Sequence, residues 1–108
     1  MVNEYTVDAL IAKLEDPDQS VRIHAATLLG SMGDDAEAAV PALIALLENG
    51  DVHDRRLAAL TLGEIRPAAE GALPALLEAA DDEDESVADL ALDAVGWIDV
   101  VEIEDEAA

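Results

Sequence analysis

The side chains best suited to chemistry in this sequence are a serine and two histidines. Ser20 and His24 lie four residues apart, which places them on one face of a helix as a nucleophilic hydroxyl and its base would be placed. No segment that could form an oxyanion hole accompanies them, and His24 falls beside a helical core stripe, where we expect it to be partly buried. His53 lies beside a predicted helix start, where we expect it to cap the helix or to lie at the surface. The sequence therefore predicts no hydrolytic dyad and no enzyme.

An acidic run at residues 81–85 is the best candidate for a metal site. An EF-hand loop needs glycine at its sixth position and glutamate at its twelfth. Counted from Asp82, those positions hold Val87 and Asp93. The chain also has no cysteine and no glycine-rich phosphate loop. We therefore predict no metal, no cofactor and no catalytic residue.

Charge restricts the classes of partner. The 108 residues include 26 acidic and five basic side chains, which gives a net charge of −21. This charge repels the phosphates of nucleic acids and of anionic membranes, so neither is an expected partner. The apolar content of 52% favours a folded chain over a disordered one. No signal peptide or membrane segment is visible, so we expect one cytoplasmic domain spanning residues 1–108.

An internal repeat organises the whole chain. Gly30, Gly63 and Gly96 are separated by 33 residues, and the same shift aligns four further sets of identical residues. Those sets are Ala9, Ala42 and Ala75; Leu10, Leu43 and Leu76; Asp18, Asp51 and Asp84; and Ala25, Ala58 and Ala91. Three repeats follow, at about residues 6–37, 38–70 and 71–98. The acidic tail, 99–108, leaves the repeat, and we expect it to be a partly ordered cap on the last helix.

Each repeat contains two amphipathic helices. Val7, Leu10, Ile11 and Leu14 have the spacing of an apolar helical stripe, and the later repeats preserve it. A second stripe starts after each repeated aspartate. An aspartate at that point accepts hydrogen bonds from the free N–H groups of the first turn. Stacking three such pairs would bury a continuous core, which predicts an all-α solenoid of three antiparallel helix pairs.

The second helix and its approach carry a family resemblance. The pattern Asp18-x-x-Val21-Arg22-x-x-Ala25, ending on Leu29-Gly30, resembles the HEAT-like repeat of the phycobilisome-lyase type. The resemblance implies a right-handed solenoid with the first helices on the convex side and the second helices on the concave side. It also implies structural roles between repeats for five residues, which are Arg22, Arg55, Asp18, Asp51 and Asp84. The third repeat has Ala88 in the arginine position, as expected of a terminal repeat.

Comparison of the repeats indicates a candidate binding surface. The exposed positions of the second helices differ from repeat to repeat, although their neighbours at the shared alanine and glycine positions do not. Arginine and tryptophan, which are frequent in binding hot spots, occur among them. We name this surface the second-helix face, and its candidate residues are Ile23, Thr27, Arg56, Leu60, Glu64, Asp89, Asp93 and Trp97.

These observations favour a non-enzymatic scaffold that binds a protein partner on the second-helix face. A basic partner is favoured because the negative field accelerates its approach. One alternative is an enzyme-accessory subunit similar to the phycobilin lyases, and another is a structural unit that forms homo-oligomers. A balance of one lysine against 26 acids is also expected of a protein adapted to high salt.

Overall fold

The computed structural model describes the backbone of residues 5–107 and the side chains of residues 5–66 and 69–98. Within that range the chain forms six α-helices and two 3₁₀ helices, and no strand. The α-helices pair in sequence, so the predicted all-α solenoid of three helix pairs is confirmed. Their bounds are α1 Val7–Lys13, α2 Gln19–Met32, α3 Val40–Asn49, α4 Val52–Ile65, α5 Leu73–Ala79 and α6 Glu85–Ala107; the 3₁₀ helices are Gly33–Ala39 and Arg66–Ala72.

The first helix of each pair begins where the sequence supplies a start signal. Thr6 caps α1, because its side-chain oxygen accepts the N–H of Ala9 at 3.2 Å. Pro41 and Pro74 occupy the first turns of α3 and α5. A first-turn N–H has no partner inside the helix, so a proline that lacks it causes no loss there.

The core is built from equivalent positions of the three repeats. Leu10, Leu43 and Leu76 are all fully buried on the first helices. On the second helices the three alanines that repeat every 33 residues are also fully buried. The second helices pack extensively on one another, α2 on α4 and α4 on α6, whereas α3 and α5 share a smaller contact. Small side chains permit this close approach, and the second helices therefore form the tightly packed layer of the solenoid.

The chain leaves α2 and α4 through the same backbone turn. Gly33 has a φ of 56° and Arg66, the equivalent residue of the next repeat, has a φ of 62°. Glycine adopts this left-handed region freely, whereas an arginine adopts it at a cost of about 1 kcal/mol. Each turn leads into a 3₁₀ helix that carries the chain to the next repeat. The two corners therefore have one geometry despite their different residues.

The last helix continues through the acidic tail. The backbone of α6 is helical from Glu85 to Ala107, so residues 99–107 extend the second helix of the third repeat. The side chains of 99–108 lie outside the described residues. The capping role of this tail therefore stays a prediction.

Candidate interaction surface

The repeated aspartates fix the start of each second helix. The Asp18 carboxylate accepts the N–H of Ser20 at 2.9 Å, and Asp51 accepts the N–H of Asp54 at 2.9 Å. Asp84 accepts the N–H groups of Ser86 and of Val87. The Ser20 hydroxyl lowers the pKa of Asp18, the Asp54 N–H lowers that of Asp51, and the Ser86 hydroxyl lowers that of Asp84. Their hydrogen bonds lie within their own helices, whereas the ion pairs between repeats end on other aspartates.

Arg22 joins the first repeat to the second. Its Nε donates to Oδ1 of Asp54 at 2.9 Å, and its Nη1 donates to the backbone oxygen of Asp16 at 2.8 Å. Both side chains of the ion pair are largely buried. Asp54 also completes a capping box with Asp51 at the start of α4. Arg22 therefore anchors the end of one helix pair to the start of the next second helix.

Arg55 makes the equivalent junction between the second and third repeats. Its Nε donates to Oδ2 of Asp82 at 2.9 Å, its Nη2 to Oδ1 at 3.3 Å, and its Nη1 to the backbone oxygen of Gly50 at 3.0 Å. The N–H of Asp84 and the Arg55 guanidinium hold the pKa of Asp82 below its ordinary value. Both conserved-spacing arginines are thus committed to the stacking of repeats.

The two histidines lie at the surface. The prediction that His24 is partly buried is wrong, because its side chain is exposed and its ring meets Tyr5 edge-on at 6.2 Å between centroids. Its equivalents Leu57 and Leu90 are half-buried against the preceding repeat, and the first repeat has no described neighbour on that side. His53 is exposed, as the surface alternative predicted, and its Nδ1 is hydrogen-bonded to Nη2 of Arg56.

The remaining candidates for chemistry have structural partners. The Ser20 hydroxyl donates to the Asp18 carboxylate at 2.8 Å, so it is committed to the cap of α2. Among the side chains that the structure describes, no three histidines or acids converge as metal ligands would. Nor does any helix in the described range have the length and hydrophobicity to cross a bilayer.

Two of the repeated glycines are contact points between second helices. A Cβ placed on Gly30 would lie 2.5 Å from the Glu64 carboxylate oxygen Oε1. A Cβ on Gly63 would lie 2.6 Å from ring atom Cε3 of Trp97. Each glycine therefore forms a notch into which a side chain of the following second helix fits. No atom lies within 4 Å of such a Cβ on Gly96.

The second-helix face combines exposed apolar and acidic side chains. Ile23 is 45% exposed, Leu60 37% and Trp97 40%. Thr27, Glu64, Asp89 and Asp93 are also exposed, whereas Arg56 is half-buried and donates to the Ser86 hydroxyl. The structure thus brings all eight predicted residues onto the surface of the second helices.

This arrangement of stacked helix pairs has a match among known families. A family model of HEAT repeats matches residues 4–106. The chain belongs to the HEAT repeat family. HEAT repeats are commonly scaffolds for protein interactions and are typically non-enzymatic. The match does not extend to the phycobilisome-lyase type, and no curated protein matches the chain.

The junctions between HEAT repeats also form two grooves at the turn edge of the solenoid. One has a volume of about 530 Å³ and is lined by Leu14, Pro17 and Leu46 in front of the Arg22 ion pair. The other, of about 580 Å³, lies at the next junction beside Arg55. Both grooves follow from the stacking of the repeats.

Sequence reasoning missed the acceptors of the two arginines. Asp54 and Asp82 do not occupy the repeated aspartate column, so the comparison of repeats passed over them. Asp82 does have a signal, because it stands two residues before Asp84 as Asp16 stands before Asp18. In both pairs the first carboxylate accepts the N–H of the second.

Proposed function

We propose that this HEAT repeat protein is a non-enzymatic module that binds a basic protein partner on the second-helix face. One observation carries the proposal: Ile23, Leu60 and Trp97 are substantially exposed on helices whose neighbouring alanines are fully buried. An apolar side chain at the surface loses its contact with water when a partner covers it, which favours association. Tryptophan is also among the residues that contribute most at interfaces.

Charge supports a basic partner. Glu64, Asp89 and Asp93 are exposed on the same face, and the net charge of the chain is −21. Arg56 carries the opposite charge there, but its guanidinium is hydrogen-bonded to Ser86 and His53. A negative surface of this kind accelerates the approach of a basic protein, and salt screens the attraction.

Affinity capture with a matched pair of variants tests the proposal. Trp97→Ala removes the largest exposed side chain of the second-helix face, whereas Leu77→Ala removes an exposed side chain of α5, a first helix. We expect a partner to be captured at low salt by the wild type and by Leu77→Ala, and to be lost from Trp97→Ala. Equal capture by the two variants would place the interface elsewhere.

Self-association is a second candidate, favoured by the outer surface of the third repeat. Leu77 is 55% exposed and Leu92 is 54% exposed there, whereas the equivalents of Leu92, Ala26 and Ala59, are fully buried. Sedimentation at several protein concentrations tests this candidate. A dimer that Leu92→Glu dissociates would support it, and a monomer at every concentration in high salt would dismiss it.

The lyase-like alternative requires binding of a tetrapyrrole. Titration with a bilin, followed by its visible absorbance, tests it directly. An unchanged spectrum would exclude this role.

A further inference from the structure

The glycine notches fix how the second helices are aligned. Glu64 lies over Gly30 and Trp97 lies over Gly63. In both pairs the residue numbers differ by 34, so a residue on one second helix lies level with the residue 34 positions later on the next. This register makes it possible to place exposed residues of different repeats relative to one another.

The three exposed apolar residues form a diagonal on this surface. Ile23, Leu60 and Trp97 are spaced by 37 residues, three more than the level register. Each therefore lies about one helical turn further along than its predecessor, which is about 4.5 Å of rise. Neighbouring helices are about 8–10 Å apart, so successive members are roughly 10 Å apart and the whole row spans roughly 20 Å. We name this row the apolar diagonal.

We propose that the apolar diagonal is the docking site for a basic amphipathic helix of the partner, with apolar residues at positions i, i+7 and i+14. Seven residues of an α-helix rise about 10.5 Å, which matches the spacing of Ile23, Leu60 and Trp97, and they return nearly to the same face. The inference rests on the proposed function and specifies the structure of the partner's binding segment.

Other peptide conformations fit the apolar diagonal less well. In a β-strand a spacing of 10 Å corresponds to three residues, and residues three apart point to opposite sides. A polyproline helix has a suitable rise but binds grooves lined by aromatic side chains. The second-helix face offers one indole, Trp97, and the whole chain has two aromatic residues.

Acidic side chains lie on both sides of the diagonal at its Trp97 end. Glu64 lies beside Trp97 in the level register, and Asp93 lies one turn before Trp97 on α6. Both are exposed. Lysine or arginine residues next to the third apolar anchor of the partner helix would therefore meet opposite charge on either side of the indole.

Three synthetic peptides of one length test the spacing. The first has leucines at i, i+7 and i+14 among lysines and alanines. The second has the same composition with leucines at i, i+5 and i+10, which point in different directions around the helix. The third keeps the first spacing but has glutamate in place of lysine. Trp97 is the only tryptophan of the chain, so its emission reports binding at the diagonal.

We expect the first peptide to shift Trp97 emission to shorter wavelength and to bind at least tenfold more tightly than the second or the third. Leu60→Ser should weaken its binding at least fivefold, because the central anchor is lost. Leu77→Ser, which removes an exposed leucine from α5, should leave the affinity unchanged.

Equal affinity of the two basic peptides, unaffected by Leu60→Ser, would overturn the helical spacing. The proposed function would survive that result if Trp97→Ala still abolished partner capture. No binding of the first peptide at concentrations up to about 1 mM in low salt would overturn the docking site itself. Loss of both peptide binding and Trp97-dependent capture would refute the two proposals together.

Discussion

Alanine substitution along the repeated glycine column measures the contacts between second helices. Gly30, Gly63 and Gly96 are equivalent helical positions that differ in what a new methyl group would meet. At Gly96 the nearest atoms are more than 4 Å away. Replacing a glycine inside a helix with alanine there stabilises it by about 1 kcal/mol, because alanine has the higher helix propensity. We therefore expect Gly96→Ala to raise the free energy of unfolding by about 1 kcal/mol.

Gly63→Ala should have the opposite effect. The same gain in helix propensity applies, but the new Cβ would lie 2.6 Å from the Trp97 ring and 3.2 Å from Cα of Ala94. Overpacking of this kind costs about 1–3 kcal/mol, which leaves a net loss of about 1 kcal/mol. The two variants should then differ by about 2 kcal/mol, or roughly 10 °C in Tm for a domain of this size. Trp97 emission should also move to longer wavelength as the ring is lifted from α4.

Gly30→Ala provides the intermediate member of the series. The obstructing atom is the end of the flexible Glu64 side chain, which can rotate away at little cost. Its stability should therefore lie between those of the other two variants. Thermal and urea unfolding followed by circular dichroism give all three values. Equal stability of Gly63→Ala and Gly96→Ala would refute the register on which the apolar diagonal depends.

Three further predictions concern the charges of the solenoid. Asp82→Asn should lower the free energy of unfolding by about 1–2 kcal/mol in urea unfolding, since it weakens the Arg55 ion pair, whereas Asp81→Asn, at an exposed neighbour, should change it by less than about 0.5 kcal/mol; equal losses would contradict the role of the pair. The Asp54 N–H lowers the pKa of Asp51 below 3.8, so its stabilising effect is present above that pH and is lost as the pH falls through the folded-state pKa. Asp51→Asn keeps a cap that does not titrate, and acid unfolding should show a shallower pH dependence for it, a result that an unchanged slope would exclude. Finally, Tm should rise between about 0.1 and roughly 2 M KCl because salt screens the repulsion among the acids, and a Tm that does not rise would exclude adaptation to high salt.

The helices could be predicted from the sequence because their determinants are local. The spacing of Leu10, Leu43 and Leu76 and the identity of Ala25, Ala58 and Ala91 repeat without gaps, so one repeat predicts the others. Aspartate at a helix start acts through amide groups two or three residues away, which the sequence shows directly. The fold class therefore followed from the sequence alone.

The details that depended on neighbouring repeats could not be predicted. His24 occupies a column that the preceding repeat covers in Leu57 and Leu90, and a column comparison does not show that this cover is missing. The acceptors Asp54 and Asp82 lie 32 and 27 residues after their arginines, so no single spacing predicts both ion pairs. For the second-helix face, the sequence predicted variation between repeats, but the exposure of Ile23, Leu60 and Trp97 required the structure.

The most direct test of the central claim is a map of where a basic partner segment binds. Backbone amide shifts of the isotope-labelled protein can be followed by NMR during titration with the lysine-rich peptide that has leucines seven residues apart. The account predicts the largest changes around Ile23, Leu60 and Trp97 on α2, α4 and α6, with little change around Leu77 on α5. Changes concentrated on α1, α3 and α5 instead would show that the second-helix face is not the binding surface.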